Sequence, residues 1–312
     1  MISSCIITLN EEKNIPRLME SLKDCDEIII ADGGSTDKTV ELAKEKGVDI
    51  YSRSDTHYIP TQEDIDRFQT YFGYAPSFTL SSVFLNMSEI RNDVIKRAKN
   101  DWIFFPDADE IVSWDREELE ELMQSADQIS CNLIQDRDAE GNPTHWNSIC
   151  KLFRKDKCQW SGRTHEVIVG GEKKVTAKSM KIDHYKTVYT QSNVLPTLEY
   201  AVLKDADTRS LFYLGREYFY YKRYKEAIEM CNRYIAKTTW LPEKVEALYI
   251  KAQCLWQTGQ GDEARRVCGE AVKNNPDCKK VLEFMGEVYN EPWKHKWKRL
   301  ASSATNEDVL FV

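Results

Sequence analysis

Hydrophobic and polar positions follow two different rhythms along this chain. In the first hundred residues, short apolar runs alternate with amphipathic stretches. Ile2 to Leu9 reads as a strand that ends at Asn10-Glu11-Glu12. Residues 14–23 then place Ile15, Leu18, Met19 and Leu22 on one helical face, with Pro16 tolerated in the first turn. Glu27 to Ala31 is a second buried strand, running into Asp32-Gly33-Gly34-Ser35-Thr36-Asp37. The glycines permit a tight turn there, and Ser35, Thr36 or Asp37 can cap a helix reaching Lys46. Val48 to Tyr51 and Trp102 to Phe105 read as further strands, the latter stopped by Pro106. Strands alternating with helices predict an α/β domain on a parallel sheet, with ligands at the carboxyl ends of its strands.

Farther on, the pattern predicts a helix over 114–124 and strands over 129–134 and 149–153, separated by a turn from Asp136 to Asn142. An aromatic-rich segment, 54–86, interrupts the alternation and reads as a lid, an acceptor-binding insertion or a packed excursion. Beyond residue 195 the rhythm changes. Leu211, Gly215, Tyr218, Ala227 and Tyr234 recur as Leu248, Ala252, Leu255, Ala264 and Ala271, and Leu248, Ala252 and Leu255 recur as Leu282, Gly286 and Tyr289. Small residues where helices cross, with large ones beside them, predict stacked helical hairpins. Thr197 to Asp207 is a candidate leading helix, and Trp293 to Ala301 a closing one with Trp293, Trp297 and Leu300 inward. The division expected is 1–195 for the α/β domain and 196–312 for an all-α repeat domain.

The 312 residues suffice for two such domains, and 41% hydrophobic with 30% charged residues describes a globular chain. A net charge of −8 argues against nucleic acid or an anionic membrane as the default partner, while leaving room for a local basic patch. No apolar run is long enough to span a membrane, and an apolar strand pattern begins almost at Met1, so no signal peptide is expected. Nine cysteines without a CxxC pair read as reduced thiols packed as small hydrophobes in a cytoplasmic protein.

The candidate chemistry gathers at strand ends. Asp107 and Asp109 follow the buried run Trp102–Phe105 and stand two residues apart, which on an extended backbone turns both carboxylates to one side. Oxygen-rich sites suit Mg²⁺ or Mn²⁺, which can carry a diphosphate, although Asp-x-Asp is also an ordinary solvated turn. Arg91, near the start of a helical pattern at Ser88, offers planar donors matched to phosphate oxygens.

Three motifs in this order, Ile6-Ile7-Thr8-Leu9-Asn10-Glu11-Glu12, then Ile29-Ile30-Ala31-Asp32-Gly33-Gly34-Ser35-Thr36-Asp37-Lys38-Thr39, then Asp107-Ala108-Asp109-Glu110, resemble the family 2 glycosyltransferases of GT-A fold. The resemblance covers roughly the first 190 residues. It implies a nucleoside-diphosphate sugar donor, commonly a UDP-sugar, a divalent metal (Mn²⁺ or Mg²⁺), and transfer with inversion. It places Thr8, Leu9 and Glu11 around the base and ribose, a base contact at Asp32, Asp107 at the ribose or metal, and Asp109 on the metal. Gly162, Glu166 and His184 match the glycine loop, acid and late histidine of that plan. Glu166 is then the expected base, with Asp183 in reserve and Glu110 behind it, and His184 completes the metal site, with His165 as competitor. Ile90, where the family has a small residue, departs from the pattern.

The repeats resemble tetratricopeptide repeats, and the two domains together resemble bacterial or phage transferases, some of which modify peptides. A protein, peptide or glycan acceptor is expected. The repeats would bind it, form a homodimer interface or buttress the catalytic domain. Two other classes compete. A nucleotidyltransferase would need a glycine- and lysine/arginine-rich triphosphate loop near the amino terminus, and none is present. A non-catalytic scaffold with a relic donor site would have lost the aspartate pair, Arg91 or His184, and all are retained.

Overall fold

The computed structural model describes residues 1–138, 140–185, 194–205 and 208–304. The chain runs β1 (Ile2–Thr8), α1 (Ile15–Ser21), β2 (Glu27–Asp32), α2 (Thr39–Glu45), β3 (Asp49–Ser52), α3 (Gln62–Phe72), α4 (Met87–Ile95) and β4 (Trp102–Phe104). It continues through β5 (Glu110–Ser113), α5 (Arg116–Met123), β6 (Gln128–Arg137), β7 (Pro143–Arg154), β8 (Cys158–Ser161), β9 (Val167–Gly170) and β10 (Lys174–His184). Helices follow: α6 (Leu195–Asp205), α7 (Thr208–Tyr220), α8 (Tyr224–Ile235), α9 (Leu241–Gln257), α10 (Gly261–Asn274), α11 (Lys279–Val288) and α12 (Trp293–Ser303). These elements form two compact units, residues 1–58 with 84–192 and residues 59–83 with 193–312.

Among the described residues, the first unit holds a sheet of eight strands in the order β3-β2-β1-β4-β7-β6-β10-β5. The half containing β3, β2, β1 and β4 is parallel, as the alternation predicts. Its strands read as apolar runs because both faces are covered. Ile2, Ile6, Ile30 and Phe104 pack on one side, and Cys5, Ile29, Ala31, Ile103 and Phe105 on the other. The remaining half departs from the expected parallel sheet. β7 runs antiparallel to β4 and β6, and β5 antiparallel to β10. Hairpin connections need no crossover helix, so the alternation that signals parallel strands is missing there. The short strand β5, the β8–β9 hairpin and the eleven-residue β10 were not predicted. β10 alternates exposed and buried positions along its length, the pattern of a strand with one solvated face.

The expected division at 195/196 put residues 59–83 with the first domain; in the structure they pack with the helices of the second. Thr61 and Asp64 form a reciprocal capping box that starts α3. Phe72 and Tyr74 then join a core of Leu198, Leu211, Phe212, Leu214 and Tyr218. Glu199, fully buried on α6, fastens the segment. It accepts from the Ser77 backbone N–H, from Ser77 Oγ at 3.1 Å and from Tyr218 Oη at 2.8 Å, and Arg223 lies 3.4 Å away. Burial raises its carboxyl above the ordinary range. The aromatics of this segment therefore serve packing first.

Successive helices α7 to α11 form antiparallel hairpins with small residues at the crossings. Gly215 on α7 faces Met230 and Cys231 of α8, where a Cβ would stand 3.3 Å from both. Ala252, Ala264 and Ala271 are fully buried in the next layer. The expected inward face of α12 is corrected: Trp293 and Leu300 are exposed, whereas Ala301 is buried and Trp297 partly so. By spacing, Trp293, Trp297, Leu300 and Ala301 share one broad face, but packing covers only the part with Trp297, against Tyr289, and Ala301, and leaves Trp293 and Leu300 at its exposed edge.

Removing the Glu199 carboxylate leaves Tyr218 and Ser77 without their buried acceptor. Glu199→Ala is expected to lower the stability of the second unit by about 2–4 kcal/mol, and Glu199→Gln by less, since an amide oxygen still accepts. Urea unfolding checks this, and an alanine variant within about 0.5 kcal/mol of wild type contradicts the fastening role.

Candidate active site

Two loops meet beyond the carboxyl ends of β1 and β2. Gly33 N–H donates to the Thr8 carbonyl at 2.8 Å, and a Cβ at Gly33 would collide with Arg53 and crowd that carbonyl. Gly34 turns through φ +96°, a conformation that favours glycine. Asp32 organises the turn. Its Oδ1 accepts from Ser35 Oγ at 2.5 Å and Thr8 Oγ1 at 3.1 Å, and its Oδ2 from the Gly34 and Ser35 N–H groups at 2.9 and 2.8 Å. Burial opposes its charge, but the Ser35, Gly34 and Thr8 donors outweigh it and hold the carboxyl below the usual range. Those four donors fill the four acceptor sites of a carboxylate, so a base can bond to Asp32 only by displacing one of them.

The strand-end residues around this turn are tied in the same way. Asn10, at φ +58°, accepts the Thr36 N–H, and Glu11 N–H donates to Thr39 Oγ1 at 2.7 Å. Asp37 accepts from Thr39 N–H at 2.9 Å, but the N-cap of α2 is Lys38, so none of Ser35, Thr36 and Asp37 caps the helix as expected. Thr8 is buried with its hydroxyl turned to Asp32, while Leu9 is exposed at the strand tip. Glu11 is raised above its ordinary range, first by burial and then by the charge of nearby Asp109, with the Asn14 hydrogen bond opposing both.

At the end of β4 the backbone differs from the extended form expected. Glu110 N–H donates to the Asp107 carbonyl at 3.1 Å, which closes a turn after Pro106. Asp107 and Asp109 therefore meet different partners. Asp107 Oδ1 accepts from Arg91 Nη2 at 2.9 Å and its Oδ2 from Lys151 Nζ at 2.7 Å. Asp109 Oδ2 lies 3.1 Å from His184 Nε2, and its carbonyl accepts Tyr185 N–H at 2.8 Å. The pairing of β10 with β5, which sets His184 opposite Glu110, brings this histidine to the aspartates across 75 residues of sequence.

Lys151, on β7, is the residue that sequence reasoning missed. It is 2% exposed and bridges Asp107 to Glu110 Oε2, the latter at 3.1 Å. Burial opposes its charge, and the two carboxylates more than restore it, raising its pKa above the ordinary lysine value. The available signal was one lysine inside the apolar run Ile149-Cys150-Lys151-Leu152-Phe153. A charge in such a run demands buried partners. Glu110 is pushed up by burial and by Asp107, whereas Asp107 is held well down against burial by Lys151 and Arg91.

Arg91 joins the aspartate turn to the glycine loop. Its Nε donates to Glu166 Oε1 at 2.6 Å, and its guanidinium stacks between Phe105 and Trp160, 4.9 and 4.7 Å from their ring centres. Sequence alone pointed Arg91 at a diphosphate; its Nε and Nη2 are instead engaged by carboxylates, and buried Nη1 has no hydrogen-bond partner. Neighbouring Asn92 exchanges two 2.9 Å hydrogen bonds with the Trp160 backbone. It thereby fixes the loop that carries Gly162, at φ +103°, His165, at φ +51°, and Glu166. Among the described residues Glu166 Oε2 accepts no hydrogen bond. Asp183 lies one residue before His184 on β10, hence on the opposite face, and is paired with Arg137.

The amino-terminal motifs lie in a stretch, residues 3–63, that matches the family model "Glycosyl transferase family 2", and residues 218–287 match "Tetratricopeptide repeat". These two stretches are thus similar to a family 2 glycosyltransferase domain and to tetratricopeptide repeats. The family match ends before Arg91, so the placement of the aspartate turn, Glu166 and His184 rests on the geometry above.

Among relatives, the chain is 24% identical over 249 residues to the SPbeta prophage-derived glycosyltransferase SunS of Bacillus subtilis, an alignment covering 75% of this chain and 53% of that one. It is 26% identical over 214 residues to the lipopolysaccharide core biosynthesis glycosyltransferase LpsC of Rhizobium meliloti, covering 65% of this chain and 70% of that one. The crystal structure of S. aureus TarS 1–349 aligns at 13% identity with a TM-score of 0.41, covering 97% of this chain and 90% of that one. The chain spans about half the length (53%) of the SunS relatives.

Lys151→Met removes the shared cation and leaves Asp107 facing Glu110. A loss of about 3–5 kcal/mol in the stability of the first unit is expected, because buried Glu110 loses its cation beside the charge of Asp107. Lys151→Arg retains the charge and should recover part of it. Chemical denaturation of both variants measures this, and an unperturbed methionine variant contradicts the bridging role.

Proposed function

We propose that this protein transfers a sugar, with inversion, from a nucleoside-diphosphate sugar, UDP-linked in the simplest case, to a protein, peptide or glycan acceptor with the help of a divalent cation. The carrying observation is the arrangement at the end of β4, where Asp109 and His184 stand beside a cluster of three carboxylates and two buried cations. This cluster lies in the same unit as the family 2 motifs. With Asp107, Glu110 and Glu166 against Arg91 and Lys151, the cluster keeps one negative charge in excess, and Asp109 and Glu11 add to it. Such a field favours a cation carrying a diphosphate.

The donor set fits Mn²⁺ or Mg²⁺. Among the described residues no group of three or more His, Cys, Asp or Glu side chains could hold a metal, so Asp109 and His184 supply two positions. Cations of this kind are commonly held by one or two carboxylates together with substrate phosphates. When bound, the cation stabilises charge on the departing diphosphate.

The protein's own residues divide the remaining work. Thr8, Leu9 and Glu11 border the nucleoside, with exposed Leu9 offering an apolar surface to the base, while Asp32 shapes the turn on which the base rests. Arg91 Nη1 is the donor left for a phosphate or sugar oxygen. Glu166 is the proposed base: Arg91 holds Oε1 and thereby orients Oε2 toward an acceptor hydroxyl or thiol. Asp107 positions Arg91 and Lys151. Asp183, clamped by Arg137 on the other sheet face, does not serve as the base in this reading.

Nucleotide release from a panel of UDP- and GDP-sugars, with Mn²⁺, Mg²⁺ or chelator, tests the proposal. One donor should turn over with metal, and Asp109→Ala should lower release at least a hundredfold, on the order of a lost transition-state contact. Metal-independent release, or full activity in Asp109→Ala, would falsify the cation site. Separately, Glu166→Gln should keep donor binding by calorimetry yet reduce transfer by about a hundredfold or more. Undiminished transfer moves the base elsewhere.

A further inference from the structure

Helix α12 presents a surface that transfer chemistry does not use. Its sequence, Trp293-Lys294-His295-Lys296-Trp297-Lys298-Arg299-Leu300, holds four lysine or arginine side chains and no acid, in a chain whose net charge is −8. The inward side is settled by burial. Ala301 is 4% exposed, Trp297 packs against the repeat core, and Lys298 lays its stem against Gly286 of α11. Lys296 and Arg299 point away from that side, and Trp293 and Leu300, 52% and 48% exposed, stand at its uncovered edge. Lys294, Lys296, Lys298 and Arg299 make no ion pair among the described residues; the helix's acidic contact is His295 with Glu291. Lys296 Nζ lies 4.4 Å from the Trp293 ring centre, so the cation and the indole share one outward patch.

We propose that this face of α12 docks the protein peripherally on an anionic lipid surface. An indole beside a leucine gains free energy at the headgroup boundary, where the ring's apolar body is buried and its N–H stays wet. Lysine and arginine stems reach along that boundary and deliver their charges to lipid phosphates. The charge selects an anionic partner, and Leu300, which has no polar group and no ring to stack, favours lipid over a nucleic-acid strand. The acidic remainder of the chain is repelled by the same surface, which confines contact to this helix. A cytoplasmic leaflet rich in acidic phospholipid has the required chemistry.

Cosedimentation of the full chain with vesicles of phosphatidylglycerol and phosphatidylcholine, against phosphatidylcholine alone, tests this. Binding should require the anionic lipid and weaken as salt rises from about 0.1 to about 0.5 M. Lys296→Glu with Arg299→Glu should lower the partition coefficient at least tenfold, and Trp293→Ser several-fold, with thermal unfolding unchanged because these side chains face outward. Equal binding to neutral vesicles, absence of binding, or a charge-reversed variant that binds like wild type overturns the proposal. So does preferential capture by an oligonucleotide included as competitor. The sedimented fraction does not depend on turnover, so the result stands apart from the fate of the transferase reading.

Discussion

The first unit is built around charges that the protein had to bury. Arg91 and Lys151 are almost wholly enclosed, and each bridges two carboxylates: Asp107 with Glu166, and Asp107 with Glu110. A lone charge in that place would be lost to its desolvation penalty, so every member depends on the others. The network also crosses the fold. Arg91 comes from α4, Asp107 from the turn after β4, Lys151 from β7, Glu110 from β5 and Glu166 from the loop after β8. Satisfying the charges therefore fixes the relative position of α4, the turn after β4, β7 and the loop that carries Glu166, the proposed base.

Each polar device beside the network serves the same positioning. Asn92 holds the Trp160 backbone so that Glu166 reaches Arg91, and Asp32 gathers the Ser35, Gly34 and Thr8 donors so that the glycine turn keeps its form. Asp109 and His184 stand apart from this bonding, paired with each other. The division is physically sensible. Carboxylates committed to buried cations are poor metal ligands, whereas in the proposed reading Asp109 and His184 can turn together to one cation. The second unit repeats the logic on a smaller scale, with buried Glu199 fastening residues 59–83 to α6 and α7.

What the sequence determined by itself was local. Strand and helix periodicity located β1 to β4, α1 and α2, the glycine turn and the repeating helices, because each depends on neighbours within a few residues. The motif residues Asp32, Arg91, Asp107, Asp109, Glu166 and His184 were legible as a set for the same reason: each stands in a short recognisable string. Tertiary structure decided their partners. Asp107 and Asp109 diverge because a turn, not an extended strand, follows Pro106. Lys151 enters the cluster through antiparallel pairing of β7 with β4, and His184 through pairing of β10 with β5. Residues 59–83 join the helical unit through aromatic packing whose partners lie more than a hundred residues away. Trp293 and Leu300 stay exposed because the packing that covers Trp297 and Ala301 on α12 stops short of them. Periodicity states that a helix has faces; which face is buried depends on what packs against it.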